Sequence, residues 1–431
     1  MDRTIGRASV RRVGVLSVAL LASVASVLDA GTPARDADAA LARQILAATG
    51  VKGGLIVHLG CGGGTLTAAL GTGDTYLVHG LDTDGKAVAK ARAYIRSRGL
   101  YGRVSADTFD GKRLPYAENL ANLVVADDLG AVTEAEAMRV LAPGGILYVK
   151  RGAGWRKAVK PRPTNTDEWT HFLHDASGNA VAHDQVVGPP RRVQWIAEPR
   201  HTRGHEHTPS INAVVSTAGR IFYIADEAPT ASRTAPAQWH LVARDAYNGL
   251  LLWKRPFDPW FPHIVNWGAT PPQLQRRLVA VGERVYVTLG IHAPLSVVDA
   301  ATGKTLEVCE GTQGAEEVLC HQGTLLVLVR AVTKERVSEL RKWARLLVQD
   351  NSPVYKRETA DPLVKELRRT EMRGRPSVLA LDAETGRTLW TKTGADTAGV
   401  RPLSLCAVGG RVFYQKGRDV VCIGLKTGKM A

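Results

Sequence analysis

The run Val57-His58-Leu59-Gly60-Cys61-Gly62-Gly63-Gly64-Thr65-Leu66 passes from apolar to glycine-rich and then to a helix-forming sequence. Glycines placed there let the backbone turn with positive φ and approach a ligand at contact distance, amide N–H groups facing it. The chemistry on offer is the cradling of a nucleotide. Asp82, in GLDTD at the end of the next apolar run, is a carboxylate that can accept both hydroxyl protons of a ribose. Asp107 in SADTF and the pair Asp127-Asp128 in VVADDL end two further apolar runs. A separate constellation is histidine-rich: His171, His174 and His183 are followed by His201, His205, Glu206 and His207, half of the twelve histidines in one short span. Imidazoles and a carboxylate at such spacing suit zinc, copper or iron, with His201, His205 and His207 as the candidate ligands. Loops also gather histidine for ordinary hydrogen bonding.

Such groups act together only if the chain lines them up along one edge of a framework. Asp38 to Thr49 is alanine-rich with apolar residues at helical spacing, Gly54 to Leu59 reads as a buried strand, Thr65 to Leu70 starts a helix, and Tyr76 to Leu81 is a second strand. Gly85 to Gly99, GKAVAKARAYIRSRG, is an amphipathic helix stopped by glycine. Leu123 to Ala126 and Ile146 to Val149 supply further strands. Alternating strand and helix predicts a parallel, doubly wound sheet whose ligand sits beyond the carboxyl ends of the strands.

In this order the motifs resemble those of the class I S-adenosylmethionine-dependent methyltransferases. LGCGGG is similar to their first motif, GLDTD to the ribose-binding second, SADTF to the loop near adenine, NLVVADDL to the fourth strand and VLAPGGILYV to the turn before the fifth. The resemblance implies a Rossmann-like α/β domain, assigned to residues 38–155, holding S-adenosylmethionine through Gly60, Gly62, Gly64, Asp82 and Asp107. Asp127 and Asp128 are the residues best placed to meet a methyl acceptor. Three features depart from the family pattern: an acidic residue usually stands where His58 is, Asn122 replaces a frequent aspartate, and no antiparallel hairpin is evident after Val149.

Beyond Pro161 the texture changes to short strands and turns, with PRPTN as a linker. Leu241 to Trp253, Leu295 to Glu307 and Val378 to Trp390 are one phrase said three times, each with Asp-x-x-x-Gly at its centre, and a fourth copy starts at Val420. Equivalent positions at 245, 299, 382 and 424 give a repeat of roughly forty residues with insertions. Each copy follows a strand introduced by glycine, and its tryptophan is expected to pack between neighbouring units. The phrases resemble quinoprotein-type, pyrroloquinoline-quinone (PQQ)-like β-propeller repeats, and WTHFLHDASGNAVAHDQVVGPPRRVQW resembles the opening of such domains. The resemblance implies an all-β partial propeller over 163–431, of about four blades, with a basic helical insertion at 334–375. The fourth phrase breaks off at Ala431, which leads us to expect further blades in a longer natural protein. Quinone-dependent members typically show adjacent cysteines; this chain has no Cys-Cys pair, so PQQ is not expected as a cofactor.

Arg3, Arg7, Arg11 and Arg12 precede an apolar stretch from Val13 to Val27 and then small residues, so 1–30 reads as a signal peptide for an extracytoplasmic protein. The stretch is shorter than the ~20 residues of a spanning helix, so no stable transmembrane span is expected. The formal charge of +15 is spread over both halves without a basic run interleaved with aromatics, and nucleic acid is not an expected partner. Five cysteines, none at CxxC spacing, indicate neither a disulfide framework nor a zinc ribbon, and Cys309 and Cys320 would bridge only from adjacent strands. Three functions fit: a methyltransferase module fused to a propeller, a lapsed binding scaffold whose propeller meets protein or glycan, and a PQQ-dependent dehydrogenase.

Overall fold

The computed structural model describes residues 32–189, 193–198, 211–231, 238–257, 275–290, 293–330 and 375–431. The signal-like segment 1–30, His201, His205 and His207, and all of the basic insertion but Arg375 lie outside them.

GLIVHL, buried at every position, forms β1 (Gly54–Leu59), the sort of continuous apolar run that a sheet covered on both faces requires. It is flanked by α1 (Thr32–Thr49) and α2 (Thr65–Leu70). There follow β2 (Tyr76–Asp82), α3 (Gly85–Ser97), β3 (Val104–Thr108), β4 (Ala121–Ala126), α4 (Glu134–Val140), β5 (Leu141–Arg151) and β6 (Gly154–Val159). The sheet order is β3-β2-β1-β4-β5-β6. Side chains alternate across it: Ile56 joins Ala42, Ile45, Val78 and Ile95 on one face, while Leu55, Val57 and Leu59 join Val124, Ala137 and Val140 on the other. The first five strands are parallel, and the order reverses between β1 and β4, which opens a crevice at their carboxyl ends.

The missing hairpin is a correction. β6 pairs antiparallel with β5 from Ile146↔Val159 to Arg151↔Gly154. GWRKAV escapes a sequence reading because it is an edge strand, half-exposed along its length and carrying Arg156 and Lys157 as edge strands do.

The second module is four antiparallel up-and-down sheets. The first has β7 (Ile211–Thr217), β8 (Arg220–Asp226), β9 (Trp239–Asp245) and β10 (Leu251–Pro256); the second has β11 (Leu278–Val281), β12 (Arg284–Thr288), β13 (Leu295–Asp299) and β14 (Thr305–Cys309). The third has β15 (Ala315–His321), β16 (Thr324–Arg330), β17 (Pro376–Asp382) and β18 (Thr388–Lys392); the last has β19 (Cys406–Val408), β20 (Arg411–Lys416) and β21 (Asp419–Gly424). Arg330 pairs with Pro376, so the insertion leaves and rejoins the sheet at facing positions. Buried side chains join each sheet to the next: Phe222 and Leu241 with Val285 and Val298, Tyr286 and Val297 with Val318 and Leu325, and Leu326 and Ala380 with Val412 and Ile423. Cys309 and Cys320 lie on neighbouring sheets as free, buried thiols, each pushed up to about 11 by burial.

The repeated turns explain the tryptophans. Gly249, Gly303 and Gly428 adopt φ of +73°, +72° and +64°, and a Cβ on them would lie 2.4, 2.7 and 2.8 Å from the rings of Trp195, Trp253 and Trp390. Each indole N–H donates to a carbonyl of the same turn: Ala246 at 3.0 Å, Ala300 at 3.0 Å and Leu425 at 2.8 Å. Where the second phrase has Glu307 in place of tryptophan, the glutamate stem covers Gly386.

One short segment ties the sheets together. Trp169 O accepts from Ser216 N, Thr170 O from Ala280 N, and Ala176 O from Ala407 N, while the His171 ring accepts at Nε2 from Cys320 N at 3.0 Å. These partners lie on β7, β11, β19 and β15, the first strand of each sheet.

The modules meet through Asn122. Its Oδ1 accepts from Leu55 N at 2.8 Å and from Asn248 Nδ2 at 2.9 Å, and its Nδ2 donates to Asp245 Oδ2 at 2.6 Å. An aspartate there could not donate, which is why an amide stands at this position. Asn122→Asp would press a second carboxylate against Asp245, whose own pKa burial already raises. The expected cost near pH 7 is about 3 kcal/mol. The new pair's folded pKa lies above its unfolded value, so the penalty is absent in acid and grows as pH rises through that pKa. Urea midpoints at pH 5 and 7.5, referenced to the parent chain, check this; a pH-independent difference would refute it.

Candidate functional site

The loop from β1 to α2 carries Gly60 at φ +72°, Gly62 at +50° and Gly64 at +83°. Its glycines divide by role. A Cβ at Gly60, Gly62 or Gly63 would meet nothing within 4 Å, so these positions line open space, while at Gly64 it would lie 2.8 Å from Cα and Cβ of Ala91 on α3. The first three leave room for a close-lying ligand, and the fourth lets two helices touch. Gly60 N and Cys61 N donate to Leu81 O, which ties the loop to the end of β2.

Asp82 sits at that end and organises the loop: Oδ2 accepts from Gly62 N at 2.9 Å and Oδ1 from Asp84 N at 3.0 Å. Asp107 is the neighbour of Leu81 across the β2–β3 ladder. Its Oδ1 accepts from Arg92 at 2.8 Å and from Thr108 N at 2.8 Å. Nearby, Tyr116 Oη meets His79 Nδ1 at 2.7 Å. Asp127 follows Ala126, which pairs with Leu59, so it faces the glycine loop across the crevice; Asp128 Oδ1 accepts from Gly130 N at 3.0 Å. Gly60, Gly62, Asp82, Asp107, Asp127 and Asp128 thus line one edge of the sheet, with Gly64 packed behind.

His58 lies beneath the loop, 5% exposed, with Nδ1 2.8 Å from Thr67 Oγ1. Burial lowers its pKa to about 4, against the pull of Asp127, Asp38 and Asp82, so it is a neutral ring near pH 7. Cys61 is held up at about 11 by burial and by Asp82, which leaves it a thiol and no nucleophile. Asp38 is the residue that sequence reading missed. It sits on α1, accepts a hydrogen bond from Thr65 Oγ1 on α2, and adds negative charge beside His58. Its only linear signal is its place at the start of the alanine-rich helical run.

A cleft of about 500 Å³ at the module junction, lined among others by Lys52, Asn122, Arg162, Arg220 and Asp245, lies at the amino ends of β1 and β4. It is on the opposite edge of the sheet from the glycine loop. No helix among the described residues is long and apolar enough to cross a membrane.

Residues 56–145 match the family model described as "Methyltransferase domain". No curated protein matches the chain. Among solved structures, the chain is similar to a candidate S-adenosyl-L-methionine-dependent methyltransferase from Methanococcus maripaludis, at 22% identity over 28% of this chain and 57% of that one, with a TM-score of 0.26. It is also similar to a candidate sarcosine dimethylglycine methyltransferase from Galdieria sulphuraria (19% identity, 26% and 45% coverage, TM-score 0.24). A geranyl diphosphate methyltransferase in complex with S-adenosylmethionine matches at 19% identity, 29% and 56% coverage and a TM-score of 0.24. The chain spans about half the length of these structures. Residues 56–145, about a fifth of the chain, are thus similar to a methyltransferase domain, here on a Rossmann-like α/β sheet.

Proposed function

We propose that the first module binds S-adenosylmethionine in the crevice beyond β1 and β4 and transfers its methyl group to an acceptor entering past Asp127 and Asp128. The observation that carries this reading is the open cradle over Gly60, Gly62 and Gly63 with Asp82 bonded into it. The cofactor supplies a sulfonium, a good leaving group, so the protein's share is orientation rather than strong acid or base. Gly60 and Gly62 allow backbone contact, Asp82 has lone pairs for ribose hydroxyls, Asp107 sits on the adenine side, and Asp38 and Asp127 add negative charge beside neutral His58. Titration calorimetry of the full chain with S-adenosylmethionine tests the reading. Asp82→Ala should weaken binding by roughly 10- to 100-fold, the scale of hydrogen bonds to a charged acceptor. No heat at millimolar cofactor would sink it and favour a lapsed scaffold, the reading to which the His58 replacement points.

The four antiparallel sheets, the buried seams between them and the tryptophan-on-glycine turns support a quinoprotein-like propeller that offers a protein or glycan an interaction surface. A PQQ-dependent dehydrogenase has only repeat resemblance behind it. The basic start and apolar stretch before Thr32 support export. Export through the general route passes an unfolded chain, so the mature protein should start near Gly31 and carry no cofactor. Mass spectrometry of protein from its native compartment decides this: an intact start with bound S-adenosylmethionine would overturn the export reading.

A further inference from the structure

We infer that His174, Asp175 and His183 form a divalent metal site of the zinc type on the segment that crosses the first strands of the four sheets. Each offers one ligand atom, and these atoms lie within 4.8 Å of one another. Two imidazoles and one carboxylate are a donor set suited to zinc, with a fourth position left for water.

Three features prepare the set. Asp167 Oδ2 lies 2.7 Å from His174 Nε2. Nε2 donates to that carboxylate, which leaves the lone pair on Nδ1 and places behind the ring the acidic partner that metal-ligating histidines generally have. Nδ1 in turn faces Asp175 Oδ2 at 3.9 Å, too long for a hydrogen bond and somewhat wider than the ~3.4 Å between two tetrahedral ligands of one zinc. Asp175 is itself fixed by Ser177, whose N and Oγ both donate to Oδ1, so Oδ2 is the oxygen turned to the histidine. Asp167 Oδ2 also accepts from His183 N at 2.6 Å, and the two histidine rings stand edge-on, 5.4 Å apart at 78°.

The supports differ usefully in rigidity. His174 is 3% exposed, braced by Trp169 at 5.4 Å, and it lies between Thr170 and Ala176, whose backbones are bonded to two different sheets. His183 is exposed, so of the three it is the side chain least held by its surroundings. Without a metal the same geometry is a histidine hydrogen-bonded to Asp167 beside a second carboxylate, and that is the competing account.

The test is zinc titration of the chelator-treated full chain, with bound zinc counted by elemental analysis and Co²⁺ absorption reporting coordination. One equivalent is expected in the parent chain, weakened at least 30-fold in both His183→Ala and Asp175→Asn and unchanged in the triple variant His201→Ala, His205→Ala, His207→Ala. His183 is exposed, and asparagine keeps an acceptor for Ser177, so both variants should fold; near-ultraviolet circular dichroism checks that. Absence of stoichiometric zinc, unchanged affinity in either single variant, or loss in the triple variant would each overturn the site.

Discussion

Gly64→Ala is expected to destabilise the chain by about 3 kcal/mol, while Gly62→Ala, two residues earlier, costs about 1 kcal/mol and abolishes cofactor binding. Both glycines have positive φ, so both substitutions carry a left-handed backbone penalty. Only Gly64 adds a collision, because its new methyl would sit 2.8 Å from the backbone of Ala91, a fully buried residue that cannot swing aside. At Gly62 the methyl projects into the space that the proposed ligand would fill. Urea unfolding and calorimetry on the two variants separate the effects. Equal stability losses would show that the loop has one role instead of two, and intact binding in Gly62→Ala would remove the cradle from the site.

The second large effect is acid sensitivity centred on His171. Its ring is 4% exposed and accepts from Cys320 N, and burial lowers its pKa to about 3. The unfolded chain has an ordinary histidine that protonates near 6.5. Between those values the unfolded state binds more protons than the native state, so the stability present above pH 6.5 is lost as pH falls. From pH 6.5 to 4.5 the loss is about 2 kcal/mol from this residue alone. His58, lowered to about 4, adds a loss of the same sign. His171→Gln, which keeps a side-chain acceptor without a titrating ring, should flatten the pH dependence while lowering stability at pH 7.5. Parallel curves for parent and variant would mean that the neutral ring is not what acid attacks. Because His171 joins the segment at 169–176 to the third sheet, the acid transition should report on the second module, whose Trp253 and Trp390 provide the fluorescence.

Much of this was legible in the chain because it is written locally. Positive φ demands glycine, so the cradle and the Asp-x-x-x-Gly turns announce themselves, and a carboxylate at a strand end beside a glycine loop is a short-range pattern. Periodicity marked β1, β2 and α3 for the same reason: neighbours in sequence decide which face is buried. The repeat of the phrase around 245, 299 and 382 likewise needed only comparison of the chain with itself.

Tertiary structure decided what depends on a distant partner. Asn122 looked like a weakened aspartate until Asp245, far along the chain, supplied the acceptor that only an amide can serve. β6 became a strand because β5 lay beside it, its own short polar alternation being too faint to predict one. Asp38 entered the site when α1 packed on α2, and His171 and His174, alike in sequence as members of one histidine cluster, took different tasks when one was wedged under β15 and the other turned toward Asp175. Hydrogen bonds and burial act through space, and for these residues the space is furnished by segments that no local pattern brings together.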